Sequence, residues 1–395
     1  MDTQLRSIVA ELLQLVAGQA HRAREYVDEE AWCKKALSIQ TDIHRIAELH
    51  NLAMYACALQ HKFDEAIRHA TFAMKAGEKF SVGPRYIRTL LYLMKGDYQK
   101  GFAELECRWD ERGVFNTLGD NYPKWDGRQC KVLHVFGEQG YGDIFQFSRY
   151  VPLLKDKFGI EKIYWEVPPS CRDLFVYNYR PFSEIEVITK AEREELAKLS
   201  RDSDGNWIGS KAGGFDWTIQ HMSLAYFFGT TFETVPPIKI LPEPTYVEKW
   251  KGLDKKVIGV CFGGRPNDGN MLTAEWNSRR NVDPEQFFKV IAGRPFILLQ
   301  NDKNPEIKSW SDTAGIIANC KMVLTVDSGP VHLAAAMDCC PVWLLSHKQK
   351  CWRWMGSPTP WYSSKLRQFD QTKEGVWDDV LAKVWEEMGK ECLLQ

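Results

Sequence analysis

The chain has almost no net charge: 51 Lys and Arg against 52 Asp and Glu leave −1 over 395 residues. This excludes the global basic field that draws nucleic acid or anionic membranes, though one basic channel would suffice for a local contact. No stretch approaches the roughly 18 consecutive apolar residues of a membrane span. The opening, Met1 to Val16, is amphipathic with acids early. It lacks the basic start, unbroken apolar run and small-residue cleavage site of a secretion signal. CxxC pairs are missing as well. The 11 cysteines are odd in number and scattered, which disfavours a disulfide framework or zinc site and fits a reducing cytoplasm. Cys339-Cys340 stands in an apolar run and reads as core. The first 112 residues contain one proline, Pro84, and no convincing strand.

What remains is a long chain, enough for two or three domains, with strong local patterning. Residues 1 to about 115 read as helix. Lys62-Phe63-Asp64-Glu65-Ala66-Ile67 aligns with Asp97-Tyr98-Gln99-Lys100-Gly101-Phe102 at a spacing of 35, and a weaker copy places Ala31 35 residues before Ala66. A helical repeat of about 34 residues, with an aromatic followed three later by a small residue, is the tetratricopeptide pattern. The small residue lets two helices approach, and the aromatic fills the groove beside it.

Trp125-Asp126-Gly127 marks a boundary turn. Beyond it, segments 131–136, 163–167 and 185–188 read as strands, with an amphipathic helix at 144–154. Ile238 to Pro244 reads as a linker. Strands follow at 256–262, 295–300, 323–326 and 341–345, with helices from Asp312-Thr313 and over 374–390. Alternating strands and helices predict parallel α/β sheets, here in two series spanning 128–240 and 241–395. Two such domains facing each other leave a cleft at the C-terminal edges of their strands.

The most informative stretch is Val323-Leu324-Thr325-Val326-Asp327-Ser328-Gly329-Pro330-Val331-His332. An apolar strand stops at a tight turn, and a small-residue helix begins at once. Free amides and the positive end of the helix dipole meet there, which suits a phosphate. Gly329 permits close backbone approach, Pro330 suits a helix start, and His332 adds a donor. The same theme opens the first series. Gly137-Glu138-Gln139-Gly140-Tyr141-Gly142-Asp143 is a glycine-rich turn leading into a helix. Its spacing is not the GxGxxG of dinucleotide sites, so NAD is not expected.

These blocks resemble, in order, the tetratricopeptide-linked glycosyltransferases whose catalytic part is similar to the ADP-heptose:lipopolysaccharide heptosyltransferases. The resemblance is carried by Gly96-Asp97-Tyr98 with Glu106-Cys107-Arg108-Trp109, Trp125-Asp126-Gly127, and Glu138 to Tyr150. It continues through Asp312-Thr313-Ala314-Gly315 with Val326 to Ala334, and ends at Trp352-Arg353-Trp354, Ser357-Pro358 and Trp361-Tyr362. It spans roughly 96 to 370, and its ordered set of motifs is more specific than any one of them. It implies an α/β GT-B fold of two Rossmann-like domains behind an all-α repeat domain, with a nucleotide-sugar donor held mostly by the C-terminal domain.

The resemblance also implies roles. Asp143 matches the proposed base that takes the acceptor hydroxyl proton, a task worth about 10²–10⁴-fold; a plain helix cap is the alternative, and both can hold. Gln139 and Gly140 would line the acceptor side. Asp327, Ser328, Gly329, Pro330 and His332 would meet the donor diphosphate, with Gly263 and Gly264 beside them. Arg279 or Arg280 would clamp phosphate, unless both are solvated. Lys348 and Arg353 are weaker candidates of the same kind. Asp312 and Thr313 cap a helix or touch the nucleoside, and Trp352, Trp354, Trp361 and Tyr362 pack or stack. Asp202-Ser203-Asp204 imitates a metal-binding DxD but sits in a polar turn. Neither a metal nor a cofactor is expected, because in GT-B enzymes the helix dipole and basic side chains neutralise the leaving group. The function implied is inverting transfer of a sugar to a hydroxyl of a glycan, protein or modified nucleic-acid base, with the repeat recruiting the acceptor. The competing reading is a non-catalytic repeat adaptor with a degenerate nucleotide-sugar module.

Overall fold

The computed structural model describes residues 3–75, 82–110, 123–199, 214–254, 256–264, 279–291, 293–300 and 302–393. The Asp202–Asp204 turn and residues 265–278 lie outside them. The chain divides into two compact units. One is Met1–Gly119 with Gly229–Phe232 and Cys351–Met355; the other is Asp120–Phe228, Glu233–Lys350 and Gly356–Gln395.

The first unit is built of helices α1 (Thr3–Arg22), α2 (Tyr26–Leu37), α3 (Ile43–Leu59), α4 (Phe63–Met74), α5 (Val82–Met94) and α6 (Tyr98–Leu105). The repeat is visible in its turns. Arg24, His61 and Gly96 each take a left-handed conformation, with φ of 62°, 60° and 82°. After each, a backbone amide reaches five residues back: Glu25 to Ala20, Lys62 to Cys57 and Asp97 to Tyr92, at 2.9, 2.9 and 3.0 Å. This is the helix-ending bond that frees the chain to start the next helix. An aromatic then opens each helix: Tyr26, Phe63 and Tyr98. A Cβ on Gly101 would fall 2.5 Å from Leu93 Cδ2, so α5 and α6 approach as closely as the sequence reading requires. The third copy is corrected. Ala31 is exposed, and three residues after Tyr26 stands the fully buried Glu29, which pairs with His21 at 2.9 Å. Helix α3, at 17 residues against 13 in α5, lengthens that repeat, so a fixed spacing of 35 misses the register. Trp352 sits edge-on to Tyr98 and Phe102.

The second unit holds two parallel sheets. The first runs β3-β2-β1-β4, from β1 (Val132–Phe136), β2 (Lys162–Glu166), β3 (Ile185–Ile188) and β4 (Trp217–Gln220). The second runs β6-β5-β7-β8-β9, from β5 (Ile258–Cys261), β6 (Phe296–Leu298), β7 (Met322–Val326), β8 (Val342–Ser346) and β9 (Leu366–Asp370). Every pairing in both is parallel, as the Rossmann-like expectation requires. The buried runs of β7 and β8 explain why their sequences are apolar without alternation.

The helices of this unit are α7 (Tyr141–Phe147), α8 (Leu154–Phe158), α9 (Pro169–Tyr179), α10 (Lys190–Leu199), α11 (Leu224–Phe227) and α12 (Pro244–Lys249). They continue with α13 (Pro284–Val290), α14 (Trp310–Asn319), α15 (Gly329–Met337) and α16 (Asp378–Leu393). The expected helix at 144–154 starts earlier and tightens into a 3₁₀ stretch over Ser148–Leu153, where Pro152 cannot donate to the ladder. Val380, Val384 and Met388 of α16 pack with Leu324, Trp343 and Phe369 in the core of the second sheet. The linker is pinned on both sides. Ile240 N–H donates to Ala336 at the end of α15, while Asn178 of α9 accepts from Leu241 N–H and donates to its carbonyl, at 2.8 and 3.0 Å. Among the described residues no helix is long and apolar enough to cross a membrane.

Candidate active site

The N-terminus of α15 lies at the end of β7. Ser328 is its N-cap by position, yet its side chain makes no capping bond. The hydroxyl turns back instead, donating to Val326 O at 3.1 Å and lying 3.3 Å from both Thr325 Oγ1 and Cys261 Sγ. No side chain therefore covers the leading amides of α15 from the N-cap. Gly329 is the first helical residue and Pro330 the second. A Cβ on Gly329 would meet Trp310 at 2.6 Å, so only glycine fits beneath the indole.

The flanks are basic. Arg280 Nη1 donates to Asp327 O at 3.0 Å. The same guanidinium packs on Gly264, where a Cβ would collide with it, while Gly264 N–H donates to Asn281 and Gln300 donates to Gly263 O. Gly263, Gly264, Arg280 and Asp327 thus form one turn-to-turn contact. Arg279 is only 7% exposed and pairs with Glu374 at 3.1 Å. Neither arginine is a solvated surface residue. His347, which sequence reasoning missed, is buried at the end of β8 near these groups. Burial first, then Arg280 and Arg279, pull its pKa down to about 4 against Asp327 and Glu374, so it stays neutral.

The other half of the site comes from the β1–α7 turn. Gln139 is exposed with φ of 60°. Asp143 is the third residue of α7, not its N-cap. Its Oδ2 accepts from the N–H of Gly140, the residue before the helix, at 3.0 Å. Glu138 is held behind by its amide donating to His221 Nδ1 at 3.1 Å.

The two turns meet. A Cβ on Gly142 would fall 2.5 Å from His332 Cδ2, and Tyr141 packs on both Gly329 and Trp310. His332 is 4% exposed. Its Nδ1 is 2.7 Å from Tyr362 Oη, and its Nε2 is 3.9 Å from Asp327 Oδ1. Arg149 lies over the Trp361 and Tyr362 rings and donates to Trp361 O, so this aromatic pair is locked in place rather than open for stacking.

Other expectations fall outside this cluster. Asp312 is the third residue of α14, in a capping box with Ser309, and Lys249 and Trp250 bond its other oxygen. Burial would raise its pKa, but Lys249 and the Lys308 amide outweigh that and hold it low. Arg353 stacks on Trp352 and belongs to the first unit. Lys348 is tied through its amide to Gln371. Among the described residues, no three His, Cys, Asp or Glu side chains gather as a metal site.

Residues 309–344, which include α14, β7 and α15, match the model of Glycosyltransferase family 9 (heptosyltransferase). Among solved structures, the chain is similar to the ADP-heptose lipopolysaccharide heptosyltransferase II of Escherichia coli. That likeness is at 18% identity and TM-score 0.45, over 67% of this chain and 99% of that one. It is also similar to a family 9 glycosyl transferase of Veillonella parvula, at 11% identity and TM-score 0.43 over 69% and 92%. An O-GlcNAc transferase variant of Thermobaculum terrenum matches at 13% identity and TM-score 0.30 over 98% and 92%. No curated protein matches. The matched segment, the two parallel sheets and the motif order define one class: a nucleotide-sugar glycosyltransferase with a GT-B catalytic part behind a helical, tetratricopeptide-like unit.

Proposed function

We propose that the chain is an inverting, metal-independent transferase that moves a sugar from a nucleoside diphosphate to an acceptor hydroxyl. The observation that carries this is the uncapped start of α15, flanked by Arg280 and His332 and packed against the helix that bears Asp143. The diphosphate would lie on the Gly329 N–H at the helix start; Pro330 has no N–H to offer, and that of Val331 bonds to Ser328 O. Negative charge growing on the leaving group is stabilised there by the helix terminus and by arginine. Of the two arginines, Arg280, bonded to Asp327 O, takes the phosphate; Arg279 is engaged by Glu374. His332, with Nδ1 held by Tyr362, presents Nε2 on the Asp327 side. Asp143 accepts the acceptor proton as the C1–oxygen bond to the nucleotide breaks and the new glycosidic bond forms. Gln139 and Gly140 line the acceptor side.

A thermal-shift panel with UDP, GDP, ADP, CMP and NAD, with and without EDTA, tests this on wild type and His332→Ala. One nucleoside diphosphate should stabilise by about 2.7 kcal/mol at 100 times its Kd. The effect should be insensitive to EDTA and weakened in the variant. A flat response to every nucleotide would overturn the donor site. Stabilisation without hydrolysis or transfer of the matching nucleotide-sugar would favour the adaptor reading instead.

A further inference from the structure

The end of α15 opposite the donor turn carries Cys339 and Cys340, adjacent in sequence. The sequence reading placed both in the core, and the structure separates them: Cys340 is buried and Cys339 exposed. Their sulfurs nonetheless converge. Sγ of Cys339 and of Cys340 lie 3.9 and 4.0 Å from the same acceptor, Ile317 O. Asp338, in a left-handed conformation with φ of 49°, ends the helix and swings the pair onto that carbonyl. Two ammonium groups stand beside it: Lys365 donates to Asp338 O at 2.8 Å, and Lys239 lies 3.5 Å from the same oxygen.

We propose that Cys339–Cys340 is a vicinal dithiol modification site, in which Cys339 is the nucleophile and Cys340 the resolving thiol toward hydroperoxides. Thiolate at Cys339 attacks the peroxide, giving a sulfenic acid and releasing one water; Cys340 then displaces the hydroxyl as a second water and closes the disulfide. Two thiols are oxidised by two electrons, and one hydrogen peroxide becomes two waters. Converging sulfurs also suit a monosubstituted trivalent arsenical oxide, which takes both thiols and releases one water without oxidation.

The surroundings support that order of reaction. The Cys340 thiol bonded to Cys339, then the nearby amide and the two lysines, hold the Cys339 pKa down to about 7 although burial opposes them. The same contact and burial push Cys340 up. Elsewhere burial leaves thiols inert: Cys33, Cys130 and Cys320 are each pushed up to about 12.

The test uses phenylarsine oxide on the full chain, with bound arsenical read by intact mass. Wild type should hold one equivalent that survives excess glutathione and leaves with a dithiol. Cys339→Ser, at an exposed position, and Cys340→Ala should each lose that equivalent. Prior treatment with stoichiometric hydrogen peroxide should block it in wild type, and dithiothreitol should restore it. An adduct unchanged in Cys339→Ser, one stripped by glutathione, or one indifferent to peroxide would each overturn the proposal.

Discussion

Helices α7 and α15 begin alike, each after a parallel strand and a short turn, and they differ in what the side chain beside the start bonds to. In α7 the carboxylate of Asp143 takes up the N–H of Gly140, the residue before the helix, which has no side chain of its own to cap with. In α15 the residue placed to cap, Ser328, spends its hydroxyl on Val326, and the start stays open. Helix α14, which packs between them through Trp310, is closed by Ser309, whose hydroxyl accepts from the Asp312 N–H. A helix whose cap is withheld leaves an N–H turned toward an anion, and α14 shows that this fold supplies a side-chain cap elsewhere.

The sharpest way to break the contrast is Asp143→Asn. Asparagine keeps an acceptor for Gly140, so Tm should fall by little. Turnover should nevertheless fall by about 10²–10⁴-fold at unchanged donor affinity, measured by product formation under saturating donor. A purely capping Asp143 would leave kcat within a few-fold of wild type.

Next in size is Arg280→Ala, which removes a charged donor from the open terminus. Nucleoside diphosphate Kd should rise by about 10- to 100-fold, equivalent to about 1.5–3 kcal/mol, read by calorimetry. Arg279→Ala should weaken binding less and lower Tm more, because it breaks the buried pair with Glu374.

A third test concerns the repeat unit, where electrostatics serve stability. Glu30 is buried and bonded by Lys34, Lys62 and Gln60. Burial alone would raise its pKa, but these three together lower it to about 2. A depressed carboxylate stabilises the fold above its unfolded pKa, and the contribution is lost as pH falls through the folded one. Between about pH 4.5 and 2 the repeat unit should lose on the order of 3 kcal/mol from this group. In Glu30→Gln that acid limb should flatten in pH-dependent urea unfolding followed on the repeat helices; an unchanged limb would remove Glu30 from the account.

The smallest effects separate the helix starts directly. Ser309→Ala should destabilise by about 1 kcal/mol, as a lost cap does, whereas Ser328→Ala should change stability by less than about 0.5 kcal/mol and leave nucleotide binding intact. Equal losses in the two variants would erase the distinction.

Much of this was legible in the chain. The apolar runs of β1, β5, β7 and β8 announce themselves because both faces are buried, and β2 and β3 are readable from their alternation. Strands β4 and β9 do not. Leu366-Arg367-Gln368-Phe369-Asp370 mixes charge with apolar residues at a sheet edge, and Trp217 to Gln220 is a short strand after an unpatterned stretch. The start of α14 was readable from Ser309-x-x-Asp312, a capping box that the apolar pattern alone passes over. The candidate donor and acceptor turns were legible because their glycines and prolines act locally. The bond from Tyr362 to His332, and the place of His347 among Asp327, Arg279 and Arg280, were not. They join residues of separate strands and loops, and no local pattern encodes which side chains those loops bring together.

The clasp on the linker has its own consequence. Residues 240 and 241 are bonded in turn to α15 and to Asn178 of α9, one to each Rossmann-like half. A chain bonded at two successive residues to two bodies is a shared fastening: pulling the halves apart at that point would break hydrogen bonds on both sides of a single peptide link.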